Sequence, residues 1–174
     1  MGNIELLLNE IRAQIAPTDE ALDEARRRRE VVLNAGMTFR GTREPFNSGS
    51  LAHRTANCPI HRRDKGLDAD CGIVLDRRSH SELGPDGWGI GPNEIVRDVM
   101  RHITGRVQEA YPRARLSVSK RAILVEPKSP LSTGEDPTVD LIVGLDRRSA
   151  DGLWIPNTRT GSWDPSHPQE HTAW

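Results

Sequence analysis

From Leu67 to Leu75 the sequence alternates. Leu67, Ala69, Cys71, Ile73 and Leu75 are apolar or small, and Asp68, Asp70, Gly72 and Val74 fall between them. Successive side chains of a β-strand point to opposite faces, so this period of two predicts a strand with one apolar face. It also presents the carboxylates of Asp68 and Asp70 to one small volume on the other face. Two carboxylates that close repel, and one is pushed toward protonation unless a cation sits between them.

The rest of the chain must supply a core for that strand, and its size bounds the answer. With 174 residues, 35% of them hydrophobic, it reads as one domain with a single packed core. The net charge of −1 gives no bulk field that would draw in nucleic acid or a membrane surface. No apolar run approaches the roughly 20 residues of a membrane span. Met1-Gly2-Asn3-Ile4-Glu5 has neither the basic start nor the apolar core of a signal peptide. Two cysteines make no disulfide framework in a chain of this length, so the expected setting is reducing and cytoplasmic.

Ile4, Leu7, Leu8, Ile11 and Ile15 predict a helix over 3–15, and Thr18-Asp19-Glu20 opens a second that runs to about Asn34. Within it, the Arg26–Arg29 run reads as a solvated face beside Asp23, Glu24 and Glu30, with nucleic-acid contact as the alternative. A short strand over 43–48 delivers the chain to Gly49-Ser50, and 78–91 reads as a loop. A helix follows from Pro92 to about Tyr111, with Ile95, Val99, Ile103 and Val107 along one side. Strands near 114–119 and 121–126 come next, then a loop over 127–137 and a strand from Thr138 to Leu145. From Asp146 onward the chain is polar and rich in Pro and Gly, the pattern of surface loops. This order predicts an α+β fold, a mixed sheet with helices packed on one face.

A third acid stands inside the last of those strands. Asp140 sits in Thr138-Val139-Asp140-Leu141-Ile142-Val143, where an unpaired charge costs several kcal/mol by order of magnitude. Either a salt bridge to Arg or Lys satisfies it, or a metal ion does. Clustered carboxylates suit hard divalent cations, and a two-metal phosphoryl-transfer centre needs such clustering to hold both the attacking and the leaving oxygens. Gly49 lets the backbone approach a ligand closely, and Ser50 offers a hydroxyl and an N–H to an anion. A Gly-Ser pair by itself is more often only a turn.

Together these residues resemble the nucleotidyltransferases of the DNA polymerase beta superfamily, in which Gly-Ser precedes Asp-x-Asp on a strand and a third Asp lies on a later strand. "GSLAHRT", "LDADCGIVL", "VDLIVG" and "GLWIPNTRTGSWDPSHPQEHT" are more closely similar to the bacterial cGAS/DncV-like cyclic oligonucleotide synthases. Those are relatives of cyclic GMP–AMP synthase and 2′–5′ oligoadenylate synthase that act in antiphage signalling. The resemblance covers about residues 40–174.

The resemblance implies that Asp68, Asp70 and Asp140 bind Mg²⁺ or Mn²⁺, with Asp140 also helping to deprotonate the attacking ribose hydroxyl. It implies that Gly49 and Ser50 bind the donor triphosphate. The substrates would be ribonucleoside triphosphates, ATP and also GTP or others. Pyrophosphate would leave, and a downstream effector would recognise the cyclic or linear product. The implied organisation of 1–174 is N-terminal helices over 1–38, a catalytic core over 39–145, and a tail over 146–174. That tail leads toward a C-terminal helical half that the sequence does not contain, which leaves a fragment or a minimal form as the two readings. Residues 51–67 separate Ser50 from Asp68, a longer gap than the pattern usually has, and "CPIHRRDKG" within it reads as a loop insertion.

Other readings stay open on the residues alone. The chain could be a nucleotidyltransferase toxin that modifies tRNA or protein, or a nucleotide-binding module without turnover. His53, Cys58, His61 and Cys71 could hold zinc, although Cys71 falls on the apolar strand face. Lys120 and Arg121 read as a solvated turn or as triphosphate contacts. Trp154, Trp163 and Trp174 either pack the tail or stack on a base, and His102, His167 and His171 are given no role.

Overall fold

The computed structural model describes residues 17–49, 67–147 and 151–168, together with Ile4 and Leu7. The helix expected over 3–15, Ser50, the insertion with His53, Cys58 and His61, and His171 and Trp174 therefore lie outside the described residues, Ile4 and Leu7 excepted.

Helix α1 spans Asp19–Met37. The Thr18 hydroxyl accepts a hydrogen bond from the Ala21 N–H at 3.1 Å, and Asp19 and Glu20 place negative charge in the first turn, where the helix dipole favours it. Strand β1 is Thr42–Asn47 and β2 is Asp68–Leu75. Helix α2, Pro92–Ala110, begins with a proline whose missing N–H is no loss in a first turn, and it ends at Tyr111, ahead of Pro112. Strands β3 (Arg115–Val118), β4 (Ala122–Glu126), β5 (Thr138–Asp146), β6 (Leu153–Asn157) and β7 (Ser162–Ser166) complete the chain.

The strands form one mixed sheet in the order β1-β2-β5-β4-β3, with β6 paired to β5 and β7 to β6. Only the β2–β5 pair is parallel among the described strands. Strand β5 is central, with β2 along one side and β4 and then β6 along the other. The fold is thus the expected α+β arrangement.

Alternation decides which face each residue takes. Ala69, Cys71, Ile73 and Leu75 of β2 join Val139, Leu141, Val143 and Leu145 of β5 in a fully buried core. Ile95, Val99, Ile103 and Val107 of α2, four residues apart along one side, and Ala25, Val32 and Ala35 of α1 close that core from the same face. Burial of the four α2 aliphatics contributes at most roughly 1.5–3 kcal/mol each. The opposite face carries a smaller apolar cluster of Phe46, Val74, Leu153 and Ile155 beside Ile142. Gly72 makes that cluster possible: a Cβ there would lie 2.1 Å from the Phe46 ring.

Two expectations are corrected. The polar stretch after Asp146 is not all surface loop, because β6 and β7 form a hairpin there. Leu153 and Ile155 are buried in the second cluster, and Trp163 reaches the main core. Pro156 and Pro165, which argue against strands, are tolerated because Pro156 lies beyond the two β5–β6 rungs and Pro165 is on the outer strand β7. Secondly, the Arg26–Arg29 run is not wholly solvated. Arg28 is 1% exposed and donates to Glu24 Oε1 at 2.8 Å and to Asp136 Oδ1, Pro137 O and Ser129 O at 2.6 Å each. It bolts the loop before β5 onto α1. The buried His80, absent from the sequence-based candidates, likewise ties the loop after β2 to Arg40 O at 2.9 Å and stacks on Phe39.

Candidate active site

Parallel pairing in the register Asp70↔Asp140 sets these two residues side by side on adjacent strands. Strands in a sheet lie about 4.8 Å apart, and side chains at paired positions leave the same face. Asp68, two residues before Asp70, also belongs to that face, which is the one opposite the helices. Asp68 is exposed, and its Oδ1 accepts a hydrogen bond from the Thr138 hydroxyl, at the position paired with it across the strands. The three acids named from the sequence thus share one face at the start of the two central strands.

Their electrostatics reflect the crowding. Asp70 and Asp140 are both half-buried. Burial first, and then the Asp70 and Asp68 charges, push the Asp140 carboxyl up to about 6. Asp70 is raised as well, by burial and then by Asp68. The Oδ1 of Asp140 is buried and has no hydrogen-bond partner. Among the described residues no Lys or Arg forms an ion pair with Asp70 or Asp140, so the salt-bridge alternative for Asp140 finds no partner there.

Gly49 stands directly against Asp70. Its φ is +74°, and a Cβ on it would lie 1.8 Å from Asp70 Oδ2. The backbone comes this close only because no side chain intervenes. The neighbouring Ser48 N–H donates to Asp70 O at 3.2 Å, tying the chain after β1 to the acid-bearing strand.

A cavity of about 370 Å³ opens beside the acids, lined by Asp70, Asp140 and Ile142 together with Ser119, Lys120 and Arg121. The turn between β3 and β4 therefore shares a cavity with two of the acids. A larger cavity of about 570 Å³ lies along α2 between Gly91, Glu94 and Arg101, but it shares no lining residue with the first and has no cluster of carboxylates. Cys71, with its thiol pushed up by burial, points into the core and away from this site. The other three residues of the zinc reading, His53, Cys58 and His61, lie outside the described residues.

Among the described residues no group of three or more His, Cys, Asp or Glu side chains is placed to hold a metal ion, and the trio of Asp68, Asp70 and Asp140 is no exception. Magnesium does not ask for such a group. It is usually held by one or two carboxylates together with substrate phosphates and waters. An all-oxygen donor set, a buried Asp140 oxygen without a partner and two carboxyls raised first by burial and then by neighbouring acids fit a hard divalent cation.

No family model matches the sequence, and no curated protein does. Solved structures do match the fold. The CD-NTase CdnG of Bradyrhizobium diazoefficiens, in complex with GTP, superposes with a TM-score of 0.63 at 17% identity, over 92% of this chain and 42% of that one. CdnC of E. coli MS115-1, in a complex with HORMA, gives a TM-score of 0.54 at 15% identity, over 95% of this chain and 47% of that one. The Vibrio cholerae cyclic AMP-GMP synthase DncV, bound to the linear intermediate 5′ pppA(3′,5′)pG, gives 0.58 at 12% identity, over 91% and 55%. The chain thus has the fold of a CD-NTase nucleotidyltransferase core, and it spans about half the length of these proteins. No helix among the described residues is long and apolar enough to cross a membrane.

Proposed function

We propose that this chain is the catalytic core of a metal-dependent nucleotidyltransferase that joins ribonucleoside triphosphates into cyclic or linear oligonucleotides, second messengers of antiphage defence. The observation that carries the reading is the Asp70↔Asp140 register on the open face of the sheet, with Asp68 beside it and no cation paired to either partner among the described residues. The fold likeness supports it, since similar proteins are a cyclic AMP-GMP synthase with a linear dinucleotide intermediate and a CD-NTase with GTP.

In this reading Asp68, Asp70 and Asp140 hold Mg²⁺ or Mn²⁺, which when bound neutralises charge on the transferring phosphate and lowers the pKa of the attacking hydroxyl. The acceptor's ribose oxygen forms a bond to the donor's α-phosphorus as the bond from that phosphorus to the β-phosphate oxygen breaks and pyrophosphate leaves. The hydroxyl proton passes to Asp140, whose Oδ1 makes no other hydrogen bond. Gly49 brings main chain up to Asp70, and in this reading the donor's phosphates are received by Gly49 and Ser50. No protein nucleophile is needed, because positioning and charge neutralisation supply the catalysis.

The test is incubation of the chain with the four ribonucleoside triphosphates and Mg²⁺ or Mn²⁺, followed by separation of the products. Small oligonucleotides with stoichiometric pyrophosphate are expected, and Asp70→Asn or Asp140→Asn should reduce both by at least about a thousandfold. Transfer persisting in either variant, or label appearing only in tRNA or protein, would refute the reading.

A further inference from the structure

The acid cavity has a second wall that the metal site does not use. The β3–β4 turn is tight: the Ser119 N–H donates to Ala122 O at 2.8 Å, and the Ala122 N–H to the Ser119 hydroxyl at 3.2 Å. The β6–β7 hairpin grips it from outside. The Thr158 N–H donates to Lys120 O at 2.9 Å and the Thr158 hydroxyl to Ser119 O at 2.7 Å. Arg121 is fixed in turn, because Asp164 Oδ2 accepts from its guanidinium at 2.9 Å and from Asn157 Nδ2 at 3.1 Å. The turn that carries the two cations is thus held through its backbone by Thr158, and the Arg121 side chain by Asp164.

The two cations are not there to neutralise the acids that share their cavity. Asp164 takes Arg121, and Lys120 forms no ion pair among the described residues. A space of about 370 Å³, within the range of small-molecule sites, is lined by both carboxylates and cations. Such a bipolar cavity suits a ligand that binds metal at one end and presents phosphate at the other.

The sheet order says which ligand. Gly49 follows β1, on the far side of β2 from β5, whereas Lys120 and Arg121 lie between β3 and β4, on the far side of β5 from β2. The acids stand between these flanks. We infer that Lys120 and Arg121 form the phosphate-binding wall for the acceptor nucleotide, with Asp164 and Thr158 holding that wall in position. This rests on the nucleotidyltransferase reading for the word acceptor, but the affinity for phosphate does not.

Two measurements test it separately. Inorganic tripolyphosphate with Mg²⁺ is titrated into the full chain while the backbone amide resonances of residues 118–122 are followed. The wild type should show saturable shifts there, weakened by salt, and Lys120→Met and Arg121→Met should each lower the affinity about tenfold, the scale of one charge-assisted phosphate contact. Both side chains are exposed, so these variants keep the fold. Unchanged affinity in both variants overturns the phosphate wall. In the transfer assay, 2′,3′-dideoxy-ATP serves only as donor and is paired with GTP or guanosine as acceptor. The variants should raise the KM for GTP about tenfold and leave those for guanosine and the donor unchanged. A rise confined to the donor overturns the acceptor assignment. Tripolyphosphate bound at 118–122 by a wild type that transfers nothing would uphold the wall and refute the enzymatic reading instead.

Discussion

Asp70 and Asp140 occupy directly paired positions of the only parallel strand pair among the described residues, and no described Lys or Arg forms an ion pair with either. Burial and the neighbouring acids raise the Asp140 carboxyl, so its pH dependence has a definite sign. In the folded chain the Asp140 carboxyl sits at about 6, above its ordinary value of 3.8. The fold therefore favours the protonated form. That contribution to stability is complete below pH 3.8 and is lost as the pH rises through about 6. Asp140→Asn removes the charge, so in EDTA it should stabilise the chain at pH 7.5 and do little at pH 4. Solvent screening at this half-buried site limits the gain to about 1 kcal/mol, or about 2–4 °C in Tm. Thermal melts at the two pH values check this. Mg²⁺ at pH 7.5 should then raise the wild-type Tm and leave the Asn variant unmoved, and an equal response from both would count against Asp140 as a metal ligand.

Gly49→Ala should damage the site more than the fold. The left-handed backbone at φ +74° costs a residue with a Cβ about 1–2 kcal/mol. The added methyl also meets Asp70 Oδ2, at 1.8 Å before anything moves, so the carboxylate or the chain after β1 must give way. A misplacement of that order costs about a hundredfold in rate. Nucleotide transfer at saturating Mg²⁺, set beside a urea melt, separates the two losses. A variant with wild-type turnover would show that the approach of Gly49 to Asp70 has no catalytic meaning.

Arg28 is the most consequential charge in the scaffold. Arg28→Met leaves Glu24 and Asp136 without their buried partner and frees the Ser129 and Pro137 carbonyls. The expected loss is about 3–5 kcal/mol, and Arg28→Lys should recover only part of it, since an ammonium cannot reproduce the guanidinium fork. Urea denaturation gives both values. A loss under about 1 kcal/mol for the Met variant would mean that the network is exposed to water in solution.

The residues of the site were readable where a local period decides the outcome. Alternation along 67–75 put Asp68 and Asp70 on one strand face, and the apolar run 138–145 marked Asp140 as a charge inside a strand. What the alternation could not contain is the register. That Asp70 meets Asp140, and not a neighbour two places along, depends on how β2 and β5 align. Arg28 was misjudged for a related reason: three of its four acceptors lie more than 100 positions away, so in the sequence it looks like any of its three neighbouring arginines. Strands β6 and β7 were hidden by Pro156 and Pro165, which count against a strand unless its edge position is known. Lys120 and Arg121 are exposed, as the solvated-turn reading expects, and what the sequence could not show is the cavity they share with Asp70 and Asp140, which is set by β4 pairing with β5.

Thr138 gives the test that separates orientation of the acids from their mere presence. Its hydroxyl donates to Asp68 Oδ1, and its N–H donates to Leu67 O at 3.0 Å. Thr138→Val keeps the β-branched shape and the main-chain bond and deletes only the hydroxyl. Asp68 is exposed, so nothing else in the strand pair fixes its rotamer once that hydrogen bond is gone. Loss of an outer partner of this kind typically weakens metal binding by about 10–100-fold. The Mg²⁺ concentration giving half-maximal transfer should therefore rise by at least about tenfold, while the rate at saturating Mg²⁺ falls much less and the urea midpoint stays put. Thr138→Ser, which retains the hydroxyl, should restore the Mg²⁺ dependence. If the valine variant titrates with Mg²⁺ as the wild type does, Asp68 needs no orienting partner, and the hydrogen bond serves only to join the ends of β2 and β5.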